Sequence, residues 1–274
     1  MNEIVGSHDL LFVTIDTLRH DVAVELLEAG RLPNLARALP RDADGRPRWE
    51  ERHTPGSFTF AAHSAFFAGF LPTPIAPGPH PRLFAARFSG SESTAGDTWV
   101  FDEPSWVEGL AKAGYHTACI GGVGFFNPES ALGTVLPSLF TESHWSPATS
   151  VADPHSFETQ IEVARDLIGR LDPGRRLLLF VNVPALHQPN WFYLDGAERD
   201  DSSPTKGDTR ASHAAALEYV DRHIGTLFDL LSARGKCFAI VCSDHGTLYG
   251  EDGLTGHRVA HPAVWTVPYA EFVL

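Results

Sequence analysis

The sequence has few cysteines and no long apolar run. Its 274 residues include three cysteines, none spaced as a Cys-x-x-Cys pair, which excludes a zinc ribbon and a dithiol redox motif. No stretch approaches the roughly 18 uninterrupted apolar residues of a membrane-spanning helix. The N-terminal segment 1–16 also lacks the basic region of a signal peptide. We therefore expect no membrane insertion and a reducing, cytoplasmic location.

Positive charge is also scarce. Lysine and arginine number 21 against 34 aspartate and glutamate, so the formal net charge is −13. A chain this acidic is poorly suited to holding a polyanion, and we expect no nucleic-acid partner. The abundant residue is histidine, with fourteen copies that supply metal ligands and proton carriers. Composition leaves the oligomeric state open.

Four short apolar runs without polar alternation predict strands that are buried on both faces, as in a parallel sheet covered by helices. These runs are residues 9–16, 115–122, 176–183 and 236–244. Helical patterns precede three of them, at residues 105–114, 156–171 and 212–235. The alternation predicts an α/β fold, a three-layer α/β/α sandwich with a largely parallel central sheet, in one domain spanning residues 1–274.

Two further stretches have the composition of irregular loops. Residues 72–98 are rich in proline and glycine early and in serine and threonine late. Residues 194–211 are highly polar, and a mobile polar loop of this length could act as a lid.

Charged side chains follow two of the predicted strands. Asp16 ends the first strand, and Asp244 and His245 follow the last one. Ligands of open α/β sheets gather at the carboxyl ends of the strands, and two carboxylates with an imidazole suit Zn²⁺ or Mn²⁺. Two structural alternatives stay open: Asp16 as a helix N-cap, and Asp244–His245 as an ion pair.

A third element is the segment 54–74, where a Pro55–Gly56 turn leads into Thr59 and an apolar helix running to Gly69. Thr59 would lie close to a helix N-terminus, where free N–H groups and the helix dipole stabilise an alkoxide or a bound phosphate. The alternative is that Thr59 or Ser57 is simply an N-cap.

These segments together resemble a known family. LFVTIDTLRHD (residues 11–21), TFAAHSAFFAGFLP (59–72), and SDHG followed by GEDGL (243–254) are similar to the alkaline phosphatase superfamily. The resemblance is closest to its sulfatase-like branch of phosphodiesterases, phosphonate hydrolases and phosphoethanolamine transferases. It runs in the family's order from Ile15 to Pro268, in a compact form lacking the usual C-terminal subdomain. It implies a metal held by Asp16, Asp244 and His245, with the nucleophile Thr59 completing the shell.

The sequence departs from the sulfatase pattern at two places. Sulfatases carry a cysteine or serine, converted to an aldehyde, where this chain has Thr59. They also carry a Gly-Lys-Trp-His-like run where this chain reads Gly121-Gly122-Val123-Gly124. The aldehyde chemistry is therefore excluded, and phosphoryl transfer is favoured over sulfuryl transfer.

The resemblance also assigns expected roles to four histidines. His187 and His257 resemble substrate-side residues that stabilise phosphoryl oxygens or protonate the leaving group. His63, one helical turn after Thr59, resembles a basic residue of the nucleophile motif. His261 lies one turn beyond His257 if that stretch is helical, and the two could share a second metal or a phosphate. The alternative for each is an ordinary polar residue near the surface.

A second metal site is left open. Asp208 and His213 are spaced as in two-metal phosphomutases, but a capping role for the following helix is favoured. Asn182, at the strand end nearer to the family's second-metal aspartate, is a poor ligand. We therefore expect one divalent ion, Zn or Mn, with a second undecided.

Other residues near these segments are assigned structural roles. Arg19 and Asp21 are expected to pair with each other or with a neighbouring helix. Residues 191–193 are expected to wall a pocket or to anchor their loop.

These features predict a metal-dependent hydrolase acting on phosphomonoesters, phosphodiesters or phosphonates. Thr59 would attack as an alkoxide to form a covalent phosphothreonine, and the partner would be a small phosphorylated molecule. Two alternatives are kept: a two-metal phosphomutase of the same superfamily, and a non-catalytic module that binds a metal or a phosphate.

Overall fold

A computed structural model describes residues 3–69 and 105–274, together with the backbone of residues 84–85 and 99–100. The predicted irregular segment 72–98 therefore lies almost wholly outside the described residues. The strands are β1 (Asp9–Ile15), β2 (Glu50–His53), β3 (Phe84–Ala85), β4 (Trp99–Val100), β5 (His116–Ile120), β6 (Glu142–His144), β7 (Leu177–Val183), β8 (Cys237–Cys242), β9 (Leu248–Tyr249), β10 (Thr255–Gly256) and β11 (Thr266–Val273). The helices are α1 (His20–Glu28), α2 (Pro33–Ala38), α3 (Thr59–Ala68), α4 (Trp106–Lys112), α5 (Ser156–Arg170), α6 (Arg210–Ser232) and α7 (Pro262–Trp265).

Seven strands form a central sheet in the order β2-β11-β8-β1-β7-β5-β6. The five strands from β8 to β6 pair in parallel, and β11 runs antiparallel to both β8 and β2. The four predicted strands are β1, β5, β7 and β8, and they are consecutive in the sheet. The prediction of a largely parallel sheet is confirmed.

Both faces of the sheet are covered by helices. Alternate residues of β1, Leu11 and Val13 among them, belong to an apolar core shared with α1, α2, α5 and α6. The intervening residues Leu10 and Phe12 belong to a second core with side chains of α3 and α4. Every β1 position is buried, which explains why this strand shows no polar alternation in the sequence. Because helices cover both faces of the sheet, the predicted three-layer α/β/α sandwich is confirmed.

The turn before α3 depends on a glycine. A Cβ placed on Gly56 would lie 2.6 Å from the backbone nitrogen of Ala62, so only glycine lets the 54–58 segment pass this close to the helix. The helix ends at Gly69, which adopts a left-handed φ of 80°. These two glycines set where the helix starts and stops, and therefore where Thr59 is presented.

The polar stretch 194–211 is irregular up to residue 209, as predicted, and α6 then starts at Arg210 behind a Thr209–Ser212 capping box. Within the described ranges, none of the helices combines the length and the apolar character that crossing a bilayer requires.

Candidate metal and nucleophile site

Three chain segments meet at the carboxyl end of the central strands. β1 and β8 are neighbours, with Thr14 opposite Cys242, so Asp16 and the Asp244–His245 pair leave the sheet side by side. The N-terminal end of α3 brings Thr59 to the same place. All four side chains are buried, with no more than 1% of their surface exposed.

The four side chains lie within contact distance. Thr59 Oγ1 is 3.3 Å from Asp16 Oδ2 and 3.3 Å from His245 Nε2. One ligand atom each from Asp16, Asp244 and His245 lie within 4.8 Å of one another. In the part of the chain that the structure describes, this is the single cluster with such spacing.

The acceptor atoms of this cluster that have no hydrogen-bond partner indicate a cation-binding site. Asp16 Oδ1 and Asp244 Oδ2 are buried and have no hydrogen-bond partner within the described residues. His245 Nδ1–H donates to the carbonyl of Gly246 at 2.9 Å, which leaves the Nε2 lone pair facing Thr59. Unpaired buried oxygens are costly, and a divalent ion would satisfy them. The donor set of two carboxylates, an imidazole and a hydroxyl fits Zn²⁺ or Mn²⁺.

The electrostatics of the two carboxyl groups agree with this assignment. Burial, reinforced by the neighbouring Asp244 carboxylate, raises the pKa of Asp16 from 3.8 to about 6. Burial raises the pKa of Asp244 from 3.8 to about 7. Burial also lowers the pKa of His245, which keeps the imidazole neutral and able to act as a ligand. A bound cation would oppose the rise in both carboxyl pKa values.

Asn182 occupies the next strand end. Its Nδ2 donates to Asp16 Oδ2 at 3.1 Å and to Thr14 Oγ1 at 3.3 Å, while its Oδ1 accepts the N–H of Val123 at 3.1 Å. The amide therefore presents hydrogen atoms to Asp16, which does not suit a second cation on that side.

His63 lies in the core beneath Thr59. Its Nδ1–H donates to the carbonyl of Thr59 at 2.8 Å, and its Nε2 is 3.0 Å from Thr14 Oγ1. Its ring contacts four aromatic side chains: Phe66, Phe67, Phe126 and Phe180. Burial lowers the pKa of His63 to about 3, so the structure makes it a neutral support for the Thr59 backbone rather than a positive charge.

His187 and His257 lie beside the cluster. Both are half-buried, and their ring centroids are 5.5 Å apart. The His257 ring lies 4.5 Å from that of His245. His187 Nδ1 bonds to the carbonyl of Gln188 at 2.7 Å, and His257 Nδ1 has no partner within the described residues. Burial and the other two histidines lower the pKa of His257 to about 3.

The structure does not bring His261 into this group. Residues 257–260 are not helical, and His261 instead caps α7, with Nδ1 accepting the N–H of Ala263 at 3.0 Å. Its Nε2 lies 3.2 Å from Asp252 Oδ2. The condition for the predicted sharing with His257, a helical stretch, is therefore not met.

Asp208 and His213 are also engaged elsewhere. Asp208 Oδ1 accepts the N–H groups of Asn190 and Trp191, both at 2.7 Å. His213 Nδ1 lies 2.9 Å from the Tyr249 hydroxyl, and its Nε2 accepts the N–H of Arg19 at 3.4 Å. Both residues hold loops together, whereas the predicted capping of the following helix is done by Thr209 and Ser212.

The structure also shows what Arg19, Asp21 and residues 191–193 do, to which the sequence assigned structural roles. Arg19 pairs with Asp21 as expected, with Nη2 to Oδ2 at 2.8 Å. Trp191 and Phe192 line a cavity of about 470 Å³, whereas Tyr193 packs on Tyr219 at 4.7 Å between ring centroids.

Sequence reasoning missed Arg258 and Thr17. Arg258 has a left-handed φ of 69°, donates its N–H to the carbonyl of Ser57 at 2.8 Å, and lies over the Phe58 ring at 5.6 Å. Its guanidinium is therefore held beside the start of α3. Thr17, with φ of 63°, donates its N–H to Asp244 Oδ1 at 3.1 Å. Nothing in a single sequence marks a threonine with a left-handed backbone, such as Thr17. Arg258 did have a signal in the sequence, because it directly follows His257.

Comparison with solved structures supports the same fold. The periplasmic domain of phosphoethanolamine transferase EptC from Campylobacter jejuni is 14% identical, with a TM-score of 0.62, over 99% of this chain and 81% of that one. The soluble domain of lipooligosaccharide phosphoethanolamine transferase A from Neisseria meningitidis is 15% identical, with a TM-score of 0.63, over 98% and 77%. The periplasmic domain of EptC from Escherichia coli, in complex with Zn, is 14% identical, with a TM-score of 0.61, over 98% and 74%.

Two further comparisons use the sequence alone. No curated protein sequence matches the chain significantly. The sulfatase family model, however, matches residues 86–269, which include His187, Asp244, His245 and His257. The match covers more than half of the chain, and Asp16 and Thr59 lie before it, so their place in the site rests on the geometry. The chain belongs to the sulfatase family.

Proposed function

We propose that the protein is a metal-dependent hydrolase of phosphate esters that uses Thr59 as its nucleophile. One observation carries the proposal: the Thr59 hydroxyl lies 3.3 Å from both Asp16 Oδ2 and His245 Nε2, beside two buried carboxylate oxygens that lack partners. A hydroxyl placed on a cation site at a helix N-terminus is an activated nucleophile. A location in the cytoplasm and a single catalytic domain stay predictions.

The side chains of the site favour phosphoryl over sulfuryl transfer. Thr59 cannot supply the aldehyde of the sulfatases. The Gly121–Gly122 pair also leaves no room for the lysine of the sulfatase pattern, since a Cβ on Gly122 would lie 2.5 Å from the carbonyl oxygen of Asn182 and 2.5 Å from Pro184 Cδ.

Asp16, Asp244, His245 and Thr59 would hold the ion, and we propose Zn²⁺ or Mn²⁺. When bound, such an ion supplies Lewis-acid stabilisation of a phosphoryl oxygen and a lower pKa for the hydroxyl that it touches. A zinc complex of one similar domain, EptC from Escherichia coli, is consistent with the first choice.

The residues of the chain then act in order. Thr59 donates its hydroxyl proton toward Asp16 Oδ2, which leaves the oxygen lone pairs free to attack phosphorus. The new bond joins Thr59 Oγ1 to phosphorus, the ester P–O bond breaks, and the departing alkoxide takes up a proton from His187 or His257. Water, or an acceptor alcohol, then gives a proton to that histidine as it attacks phosphorus, and the released Thr59 oxygen regains its proton from Asp16. His63, bonded to the Thr59 carbonyl at 2.8 Å, keeps the first turn of α3 in place through both steps.

His187 and His257 would contact the phosphoryl group. Both rings are half-buried beside the cluster, and a neutral His257 acquires a proton readily only when an anion is bound next to it. The substrate we propose is a small phosphorylated molecule whose phosphoryl oxygens lie between these two rings and Thr59.

The arrangement around Asp16 favours one ion rather than two. Asn182 directs an amide N–H at Asp16, and Asp208 and His213 are bonded to loop groups. The phosphomutase alternative is therefore disfavoured. The binding-module alternative is disfavoured by the placement of the Thr59 hydroxyl against two metal-ligand side chains.

The test uses purified protein with Zn²⁺ or Mn²⁺ and p-nitrophenyl esters of phosphate and phenylphosphonate, together with bis-p-nitrophenyl phosphate. We expect Thr59→Ala to abolish turnover and to lose a phosphate adduct visible by intact mass, while Thr59→Ser keeps both. Ser57→Ala, which removes a hydroxyl two residues away, is the matched control and should behave as wild type. Full turnover by Thr59→Ala would refute the mechanism. A wild-type protein inert toward all three esters would instead revive the binding-module alternative.

A further inference from the structure

Arg19 is a buried cation that no step of the proposed reaction uses. Its side chain is 7% exposed, and its Nε and Nη2 bond both oxygens of Asp21, at 2.9 and 2.8 Å. Its Nη1 reaches the opposite way, to the carboxylate of Glu251 and to the carbonyl of Thr247 at 3.4 Å. The guanidinium therefore links two segments that are far apart in sequence.

The two linked segments are the ones that carry the candidate metal ligands. Arg19 lies three residues after Asp16, and Thr247 and Glu251 lie shortly after His245. Glu251 extends the link, because its second oxygen accepts the N–H of Tyr249 at 2.6 Å. One side chain thus holds the turn after β1 against the turn after β8.

Close packing confirms that the two turns are fitted to each other. A Cβ on Gly246 would lie 3.3 Å from Arg19 Cγ, and Gly246 N–H bonds to the carbonyl of Val264 at 2.7 Å. The turn after β1 also bends at Thr17, whose left-handed backbone directs its N–H to Asp244 Oδ1.

The carboxyl groups that the two turns carry would repel each other when both are ionised and no cation lies between them. Asp16 and Asp244 are carboxylates with ligand atoms less than 4.8 Å apart, in a buried place where like charges repel strongly. A charge-assisted, multiply bonded arginine is well suited to oppose that repulsion, because its planar fork fixes direction as well as distance.

We propose that Arg19 is a positioning residue for the metal site, which it preorganises by holding the Asp16 turn against the His245–Glu251 turn. The inference rests on the proposed function, since it takes a divalent ion as the occupant of the site. It predicts that metal affinity depends on a side chain that does not touch the metal.

The experiment measures Zn²⁺ affinity by chelator competition and the visible absorption spectrum of the Co²⁺-loaded protein. Removing a supporting residue outside the ligand set typically weakens metal binding about 10- to 100-fold, and we expect Arg19→Met to fall in that range and to alter the Co²⁺ spectrum. Arg19→Lys keeps the charge but not the fork, and should give a smaller loss. Glu251→Gln, which leaves Arg19 in place, should also weaken binding and guards against a failure of Arg19→Met to fold.

The matched control is Arg234→Met. Arg234 is equally buried, at 9% exposed, and bonds Asp9 Oδ2 at 2.8 Å at the opposite end of the sheet. Both methionine variants should lose stability, but only Arg19→Met should lose affinity and change the spectrum. Wild-type affinity and spectrum in Arg19→Met, or equal losses in Arg234→Met, would overturn the positioning role. Absence of Zn²⁺ and Co²⁺ binding by wild type would overturn the metal site itself.

Discussion

Replacing Asp244 with asparagine should stabilise the metal-free protein at neutral pH while removing its affinity for metal. Asp244 Oδ1 accepts the N–H groups of Thr17 at 3.1 Å and of His245 at 2.9 Å, and an asparagine oxygen can accept both. The other oxygen, Oδ2, is the buried atom without a partner. The substitution therefore removes an uncompensated charge and keeps the bonds that hold the two turns.

The magnitude follows from the pKa of Asp244, which burial raises from 3.8 to about 7. The folded protein then binds a proton at Asp244 more tightly than the unfolded chain, so the stability that this group contributes is fully present below pH 4 and is lost as the pH rises through about 7. A rise of about 3 pKa units corresponds to about 4 kcal/mol lost above pH 7. The asparagine N–H₂ group costs about 1–3 kcal/mol if it finds no acceptor, which leaves a net gain of about 1–3 kcal/mol.

The assay is urea unfolding of wild type and Asp244→Asn in EDTA between pH 4 and pH 8. Near pH 4 the variant should be less stable than wild type by about 1–3 kcal/mol, the cost of the asparagine N–H₂ group, and at pH 8 it should be the more stable. Asp9→Asn is the control, since this buried carboxylate is paired with Arg234 and Arg176, and its neutralisation should cost about 3 kcal/mol. A stability difference between Asp244→Asn and wild type that does not shift in favour of the variant from pH 4 to pH 8, or a variant less stable than wild type at pH 8, would refute the reasoning.

Three further variants follow from the same geometry. Gly246→Ala should destabilise the protein by about 3 kcal/mol in thermal unfolding, because the new Cβ would lie 1.9 Å from the carbonyl oxygen of Ala263; an unchanged Tm would contradict this. Asn182→Asp should raise the metal content from one ion to two in elemental analysis, because it replaces the amide facing Asp16 with a ligand. His63→Leu should lower stability by about 1–3 kcal/mol and reduce kcat, because it removes the bonds from the His63 ring to the Thr59 carbonyl and to Thr14 Oγ1; unchanged kinetics would remove its supporting role.

The central strands were predictable because both of their faces are buried. All seven positions of β1 and of β7 are buried, so each appears in the sequence as a continuous apolar run. The edge strand β2 has no fully buried residue, and β11 mixes buried, half-buried and exposed positions. Such strands are set by pairing with β8 and β11 across the fold, and a short polar segment like Glu50–His53 carries no local sign of that pairing.

Some residues of the site were likewise predictable from the sequence, and others were not. Asp16, Asp244 and His245 follow strand ends, and parallel neighbours bring strand ends together, so sequence position alone predicts their meeting. The link between His257 and His261 required a helix, and the backbone between them instead turns left-handed at Arg258, with φ of 69°. Left-handed non-glycine residues are stabilised by tertiary contacts, here the bond from Arg258 N–H to Ser57, and these contacts are absent from a linear pattern.

His63 shows that residue spacing can predict the position of a side chain without predicting its chemical role. A separation of four residues correctly predicts that His63 and Thr59 lie on one face of α3. A charged role, however, requires a ring nitrogen that is free, and here Nδ1 is bonded to the Thr59 carbonyl while Nε2 meets Thr14, within a shell of four phenylalanine rings. His257 differs, because its Nδ1, although buried, has no hydrogen-bond partner in the described chain, and its ring centroid lies 4.5 Å from that of His245. The partners of the two ring nitrogens therefore decide which histidine is free to exchange a proton with substrate, and by that criterion we propose His257 rather than His63 for this role.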